Sequence, residues 1–311
     1  MIKIPYPNQQ ILDTYFDEIK ETLLKKIKYI KSQKNISIDK KKFRVTNKMK
    51  KILEYLEDEN NLKKLIQLKP KELAFLIKYV YKKFPKSHYK KESLNRILYR
   101  IFVEAGYNEI GKLKFIQNIN LGSCPYCNRN YIFSINKKSS IKPEIDHLYP
   151  KSIYPYLAVS YFNLIPSCPT CNGFGAKGSK DTFYAYPISN PYELKENDFK
   201  FSITPESIDF FNVENKKYDF NSFEIELCGN KANLEIFKLE ELYKQHKDVV
   251  LELLIKKAYY PQSYIDELKG FGFSEDEIYR YLLGNYKKDE DLHKRPLSKL
   301  IKDISEELDL I

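Results

Sequence analysis

Two cysteine pairs constrain this chain more than any other feature. Cys124-Pro-Tyr-Cys127 and Cys168-Pro-Thr-Cys171 are both C-x2-C, and 40 residues separate them. A C-x2-C turn sets two thiolates on one side of a tight knuckle, about the separation that tetrahedral Zn²⁺ requires, and two knuckles close the site. Four sulfurs with no open position predict one structural zinc held by Cys124, Cys127, Cys168 and Cys171. The surrounding residues, 122–191, are rich in Cys, Pro, Asn, Tyr and Gly, with short β-like runs (YIFSI, PEIDH) and little helical periodicity. A metal would staple such a segment, which is too short and polar to fold on its own core. The competing reading is a redox C-x-x-C, which needs a single pair at a strand-to-helix junction. Cys228, alone in the strand-like run FEIELC, is expected to be a small buried hydrophobe.

The rest of the composition narrows the class. With 311 residues, 42% hydrophobic and 14% aromatic, the chain has ample material for a core, which excludes a disordered polymer. No apolar run reaches the ~18 residues of a membrane span. The beginning, MIKIPYPNQQ, has no apolar h-region or small-residue cleavage site, so the expected location is cytoplasmic and the thiols reduced or metal-bound. The net charge of +11 is unevenly spread. Residues 1–120 carry 28 basic and 13 acidic groups, net +15; residues 121–190 are +4; residues 191–311 carry 18 and 26, net −8. A basic end suits a polyanion such as nucleic acid, while solvated helix faces would give the same count.

Periodicity divides the chain into three. Ile11, Tyr15, Ile19, Leu23 and Ile27 recur at four-residue steps, predicting a helix over 9–32. Further helices are predicted over 45–66, over 71–84 starting at Pro70, and over 91–105, ending before Gly106. Beyond the cysteine-rich segment, strands are predicted at 199–204 and 223–228, a long helix at 232–258, and helices at 274–284 and 296–308. The expected fold is α+β and predominantly helical. It comprises a basic helical region, 1–118; a zinc-knuckle core, 119–190; and an acidic C-terminal region, 191–311, of two short strands then helices.

Between the knuckles lies Pro143-Glu144-Ile145-Asp146-His147-Leu148-Tyr149-Pro150-Lys151-Ser152, followed by Asn163 in Phe-Asn-Leu-Ile-Pro and by Asn172 directly after Cys171. This order resembles the zinc-stapled subgroup of the HNH (ββα-metal) endonuclease family: C-x2-C, then D-H-x-x-P-K-S, then N-L, then C-x2-C-N with a downstream Lys. More narrowly, CPYCNRNY, IDH-YPKS and NLIPSC resemble HNH nucleases of bacterial anti-phage systems, Septu-type and retron-linked. The resemblance covers about residues 122–180. It implies a central ββα-metal core and a metal-dependent endonuclease that hydrolyses phosphodiester bonds, most simply of DNA. His147 would be the general base. Asp146 and Asn172 would hold one catalytic Mg²⁺ or Mn²⁺ through hard oxygen donors. Asn163 would hold the ββ loop and orient the base. A defence role would bring a protein partner such as an ATPase subunit of the same operon.

Asp146 and His147 are adjacent, and in a regular strand they point to opposite faces, so one site needs the strand to end or twist there. The family's Lys often follows the last Asn by three or four residues; here Lys177 comes five after. Lys177, Lys180 and Arg129 are candidate phosphate contacts, each with simple solvation as the alternative. Glu144 shares a face with Asp146 and could ligate metal, support a ligand or stay exposed. His88, His246 and His293 read as surface residues. The competing functional class is a non-catalytic zinc-knuckle module, nucleic-acid-binding or regulatory.

Overall fold

The computed structural model describes residues 1–38, 40–135, 142–206 and 220–310. The fold is α+β and mostly helical, and among the described residues its strands form three separate two-stranded antiparallel sheets. Helix α1 (Gln9–Ser32) buries Leu12, Tyr15, Phe16, Ile19, Leu23, Ile27 and Ile30 on one stripe, and the Asn8 side chain caps it by accepting from the Ile11 N–H. A short hairpin, β1 (Asn35–Ile38) and β2 (Lys41–Arg44), fills the stretch left unassigned between the helices predicted over 9–32 and 45–66, inside a region expected to be helical. Its buried Ile36 and Ile38 alternate with exposed residues at the two-residue period of a strand.

The helix expected over 45–66 is two helices, α2 (Asn47–Glu57) and α3 (Glu59–Gln67). Asp58 stands between them in extended conformation, and its carboxylate accepts from the Asn61 N–H at 2.9 Å. A short acidic side chain at this position caps a new helix instead of continuing the old one. Helix α4 (Pro70–Lys83) begins at the predicted proline. Helix α5 (Ser93–Leu98) runs into a π-helical stretch, Tyr99–Tyr107, which passes through Gly106 where the sequence predicted a stop. Gly106 serves close approach: a Cβ there would lie 2.7 Å from Leu23 and 3.1 Å from Val159. Helix α6 (Lys112–Ile119) ends the basic region.

The central core has the order strand, strand, helix: β3 (Glu144–His147), β4 (Leu164–Ser167) and the single turn α7 (Pro169–Asn172). Asp146 pairs with Ile165 and His147 with Leu164 in the antiparallel register. The C-terminal region opens with the hairpin β5 (Lys200–Pro205) and β6 (Phe223–Cys228). In β6 the buried residues are Phe223, Ile225 and Leu227, so Cys228 faces solvent and is no core residue. Strand parity decides this, whatever a thiol's preference for burial. The helix expected over 232–258 is broken into α8 (Lys231–Phe237), α9 (Leu239–Tyr243) and α10 (Lys247–Tyr259), with Lys238 left-handed at φ 51°. Helices α11 (Gln262–Gly270), α12 (Glu275–Leu283) and α13 (Ser298–Glu307) complete the chain.

The three regions share one contiguous set of buried side chains. Tyr15 of α1 donates to the Val159 carbonyl at 2.9 Å, and Ser160 donates to the Leu65 carbonyl at 3.1 Å. Among the described residues no helix is long and apolar enough to cross a membrane.

Candidate active site and four-cysteine cluster

The four cysteines converge. The sulfurs of Cys124, Cys127, Cys168 and Cys171 all lie within 4.8 Å of one another, and all four residues are buried. Tetrahedral Zn–S bonds of ~2.3 Å would set sulfurs ~3.8 Å apart, and Cys127 and Cys168 are already 3.9 Å apart. Three N–H groups aim at the sulfurs: Arg129 N to Cys127 (3.4 Å), Cys168 N to Cys124 (3.4 Å) and Asn130 Nδ2 to Cys168 (3.3 Å). Donors pointing at sulfur suit thiolates. This cluster could hold a zinc ion.

The C-terminal region grips the first knuckle. Asn128, left-handed at φ 50° and buried, donates through Nδ2 to Ser123 Oγ and the Leu292 carbonyl. Its Oδ1 accepts from the Lys299 N–H at 3.0 Å and from Ser298 at 3.1 Å, at the start of α13. Tyr243 donates to the Cys127 carbonyl, and Phe237 stacks on Tyr126 at 4.4 Å between centroids. The acidic region is therefore scaffold for the knuckle.

The knuckle in turn fixes Asp146. Tyr126, inside the first C-x2-C, donates from its hydroxyl to Asp146 Oδ2 at 2.6 Å. Burial and the Asp146 charge push the Tyr126 hydroxyl well above its ordinary range, so it stays a donor. Lys177 Nζ contacts Asp146 Oδ1 at 2.8 Å and donates to the His147 carbonyl at 2.6 Å. Lys177 is 0% exposed and Asp146 3%, so Lys177 is an internal counter-ion, where the sequence suggested a phosphate contact or a solvated side chain. Nothing in a one-sequence motif tells a buried lysine from a solvated one. The tie between Tyr126 and Asp146 had no sequence signal either.

His147 is the last residue of β3, so the strand ends at this pair, and its side chain has partners of its own. Its Nε2 lies 3.0 Å from the Ala158 carbonyl. A carbonyl only accepts, so Nε2 carries the proton and Nδ1 keeps its lone pair. Among the described residues Nδ1 has no hydrogen-bond partner. Burial first, then the charge of Lys151, holds the imidazole well below its usual pKa, with smaller contributions from Lys177 and Lys112; the bond to Ala158 opposes them. Tyr107 packs on the ring at 4.6 Å between centroids. Asn163 pins the loop joining β3 to β4: its Oδ1 accepts from the Tyr149 N–H at 2.8 Å, and its Nδ2 donates to the carbonyls of Tyr149 (3.1 Å) and Leu157 (2.9 Å).

Asn172, at the end of α7, donates to Glu144 Oε2 at 2.7 Å across an exposed edge. Glu144, Asp146 and Asn172 offer carboxylate and amide oxygens, a hard donor set suited to Mg²⁺ or Mn²⁺. An ionised carboxylate has about four lone-pair positions, and Tyr126 and Lys177 occupy two of those on Asp146. By donor chemistry alone, these residues could hold a divalent cation.

Over 80 residues the chain is 38% identical to the Septu protein PtuB of Bacillus thuringiensis. The matched stretch covers 26% of this chain and 28% of that protein. No protein-family model and no solved structure matches.

The remaining candidates are dispersed. Arg129 donates from Nε to His246 Nε2 at 2.8 Å, and Lys180 donates to the Ala176 carbonyl at 2.6 Å; both are half-buried. His88, His246 and His293, expected at the surface, are each half-buried, and burial lowers the pKa of each.

Proposed function

We propose that this chain is a metal-dependent endonuclease of the HNH type that hydrolyses phosphodiester bonds of nucleic acid, most simply DNA. We propose too that it works in an anti-phage defence system beside a protein partner such as an ATPase. The observation that carries the reading is His147 at the end of β3, its Nε2 committed to the Ala158 carbonyl and its Nδ1 free. Similarity to a Septu protein supports the defence role.

In this reading His147 Nδ1 takes a proton from water. The oxygen of that water bonds to phosphorus as the bond from phosphorus to the 3′ oxygen breaks. The lowered imidazole pKa keeps His147 neutral, and so able to accept, at physiological pH. Asp146, Asn172 and Glu144 would hold the cation, which when bound offsets negative charge on the phosphate and the departing oxygen. Asn163 positions the base by fixing the loop that carries the Leu157–Ala158 carbonyls. The zinc cluster holds Tyr126, and through it Asp146.

The test uses the chain together with the product of any adjacent operon gene, with Mg²⁺ or Mn²⁺ and DNA or RNA. Wild type cuts, and His147→Ala, which keeps its zinc and its unfolding transition, does not. Equal behaviour of the two proteins sinks the reading.

A second reading is a non-catalytic zinc-knuckle module. The Lys177 ammonium already balancing Asp146 favours it. Divalent-cation titration separates the two: a nuclease binds Mn²⁺ weakly and loses that binding on Asn172→Ala, whereas the module binds none.

A further inference from the structure

The His147 face carries a group of cations that the reading above leaves unused. Lys112 Nζ lies 4.4 Å from the centroid of the Tyr107 ring, and Lys151 Nζ lies 4.5 Å from the same centroid. The two ammoniums are thus at most about 9 Å apart, the sum of those distances. Tyr107 itself packs on His147 at 4.6 Å. Three elements deliver these groups: the π-helical stretch supplies Tyr107, the start of α6 supplies Lys112, and the loop after β3 supplies Lys151.

We propose that Lys112 and Lys151, braced on Tyr107, form a clamp for a backbone phosphate of the nucleic-acid substrate beside His147, so that the N-terminal helices supply one jaw of the active site. The proposal rests on the nuclease reading for its substrate.

Charge pairing is the first argument. Among the described residues neither Lys112 nor Lys151 has a carboxylate partner, although both are half-buried. The deepest lysines elsewhere do have one: Lys177 with Asp146, Lys299 with Asp303, and Lys302 with Glu196 and Asp289. Burial and the nearby Lys112 charge lower the pKa of Lys151, while Asp146 pulls it up. That carboxylate already contacts Lys177, so Asp146 is no free counter-ion for this face.

Geometry is the second argument. A phosphodiester presents two non-bridging oxygens that accept from separate ammoniums. Stacking on one tyrosine holds two long side chains in place before any ligand arrives. The aromatic that braces them is also the one packed on the candidate base, so a phosphate seated there lies beside His147.

The experiment measures anisotropy of a fluorescein-labelled DNA duplex with the full-length chain across a salt series, without divalent cation. Wild type, Lys112→Gln, Lys151→Gln, the double variant, Lys112→Arg, Lys151→Arg and the exposed control Lys231→Gln are compared. Each glutamine change is expected to weaken binding and to reduce the salt slope by about 1. The double variant loses about 2, the arginine variants restore the slope, and the control matches wild type. Wild-type binding by both glutamine variants, or no binding by wild type, overturns the clamp. His147→Ala is run in parallel for binding and cleavage. If it cuts like wild type while the lysine variants still lose affinity, the catalytic reading fails and the phosphate site stands. If it binds but does not cut while the lysine variants bind like wild type, the catalytic reading stands and the clamp falls.

Discussion

The two faces of the four-residue strand β3 differ sharply. Around Asp146 the carboxylate is tied down: Tyr126 and Lys177 each hold one of its oxygens, and Asn128, Tyr243 and α13 secure the knuckle. Behind His147 the neighbours are a tyrosine and two ammoniums without carboxylates. The acidic C-terminal region braces the first face through the knuckle, and the basic N-terminal helices bring Tyr107 and Lys112 to the other. A strand sends successive side chains to opposite sides, so adjacent residues can be given unlike surroundings, one with a counter-ion and one beside unpaired ammoniums. In the proposed reading, holding the site together and reaching a substrate are tasks of separate regions.

The largest expected effect comes from the Asp146 face. Structural zinc in small domains contributes an apparent ~10–16 kcal/mol of folding free energy. Purified protein is expected to hold one zinc per chain by elemental analysis. Cys127→Ser or Cys171→Ser should lose the metal and, with it, the cooperative thermal transition of the core. Because β3 is shared, the His147 face goes too. A cysteine variant that melts like wild type would break the comparison at its root.

The next test sets lysine against lysine. Lys177→Met leaves Asp146 buried without its counter-ion, a change that costs ~3–5 kcal/mol. The pair of changes Asp146→Asn and Lys177→Met together should recover a good part of that loss. Lys112→Met, on the His147 face, should alter stability by no more than ~0.5 kcal/mol. Urea midpoints measure all three. Equal losses for Lys177→Met and Lys112→Met would erase the distinction between the faces.

A smaller effect probes how Tyr107 reaches His147. Gly106→Ala puts a methyl 2.7 Å from Leu23, and such overpacking costs ~1–3 kcal/mol. The expected result is a lower melting temperature with zinc content unchanged, because the strain falls on the His147 side.

These contrasts were only half legible in the sequence. The cysteine spacing marked the cluster because a knuckle is a local structure with fixed spacing. The stripe of α1 was legible for the same reason, since 3.6-residue periodicity needs no knowledge of partners. Asp58 and Lys238 break helices that periodicity alone runs together; Asp58 carried a readable capping signal, Lys238 none. Cys228 could have been placed outward by counting from Phe223. The partners of Asp146 were not legible, because Tyr126 and Lys177 lie 20 and 31 residues away. Lys151 stood within the quoted motif without a role, and Tyr107 and Lys112 lay outside it; only the packing of the helices brings them to His147.

The smallest expected effect is a pH dependence, and it tests the joint between the helical region and the core. His88 bonds Tyr156 through Nε2 at 3.1 Å and stacks on Tyr81 at 5.6 Å between centroids. Burial lowers its folded pKa, with Asp181 opposing. The unfolded chain, with an ordinary pKa near ~6.5, therefore binds more protons than the folded one below that pH. Stability is full above ~6.5 and falls as pH drops toward the folded pKa, by at most ~1.4 kcal/mol per pH unit for one histidine. Urea midpoints at pH 7.5 and 5.5 should differ in that direction, and His88→Gln should reduce the difference. The other three histidines are lowered as well, so His88→Gln removes only part of the dependence. A rise in stability on acidification that His88→Gln removes would mean that protonated histidine is favoured at the joint, and that the helical region meets the core through charge instead of through buried rings.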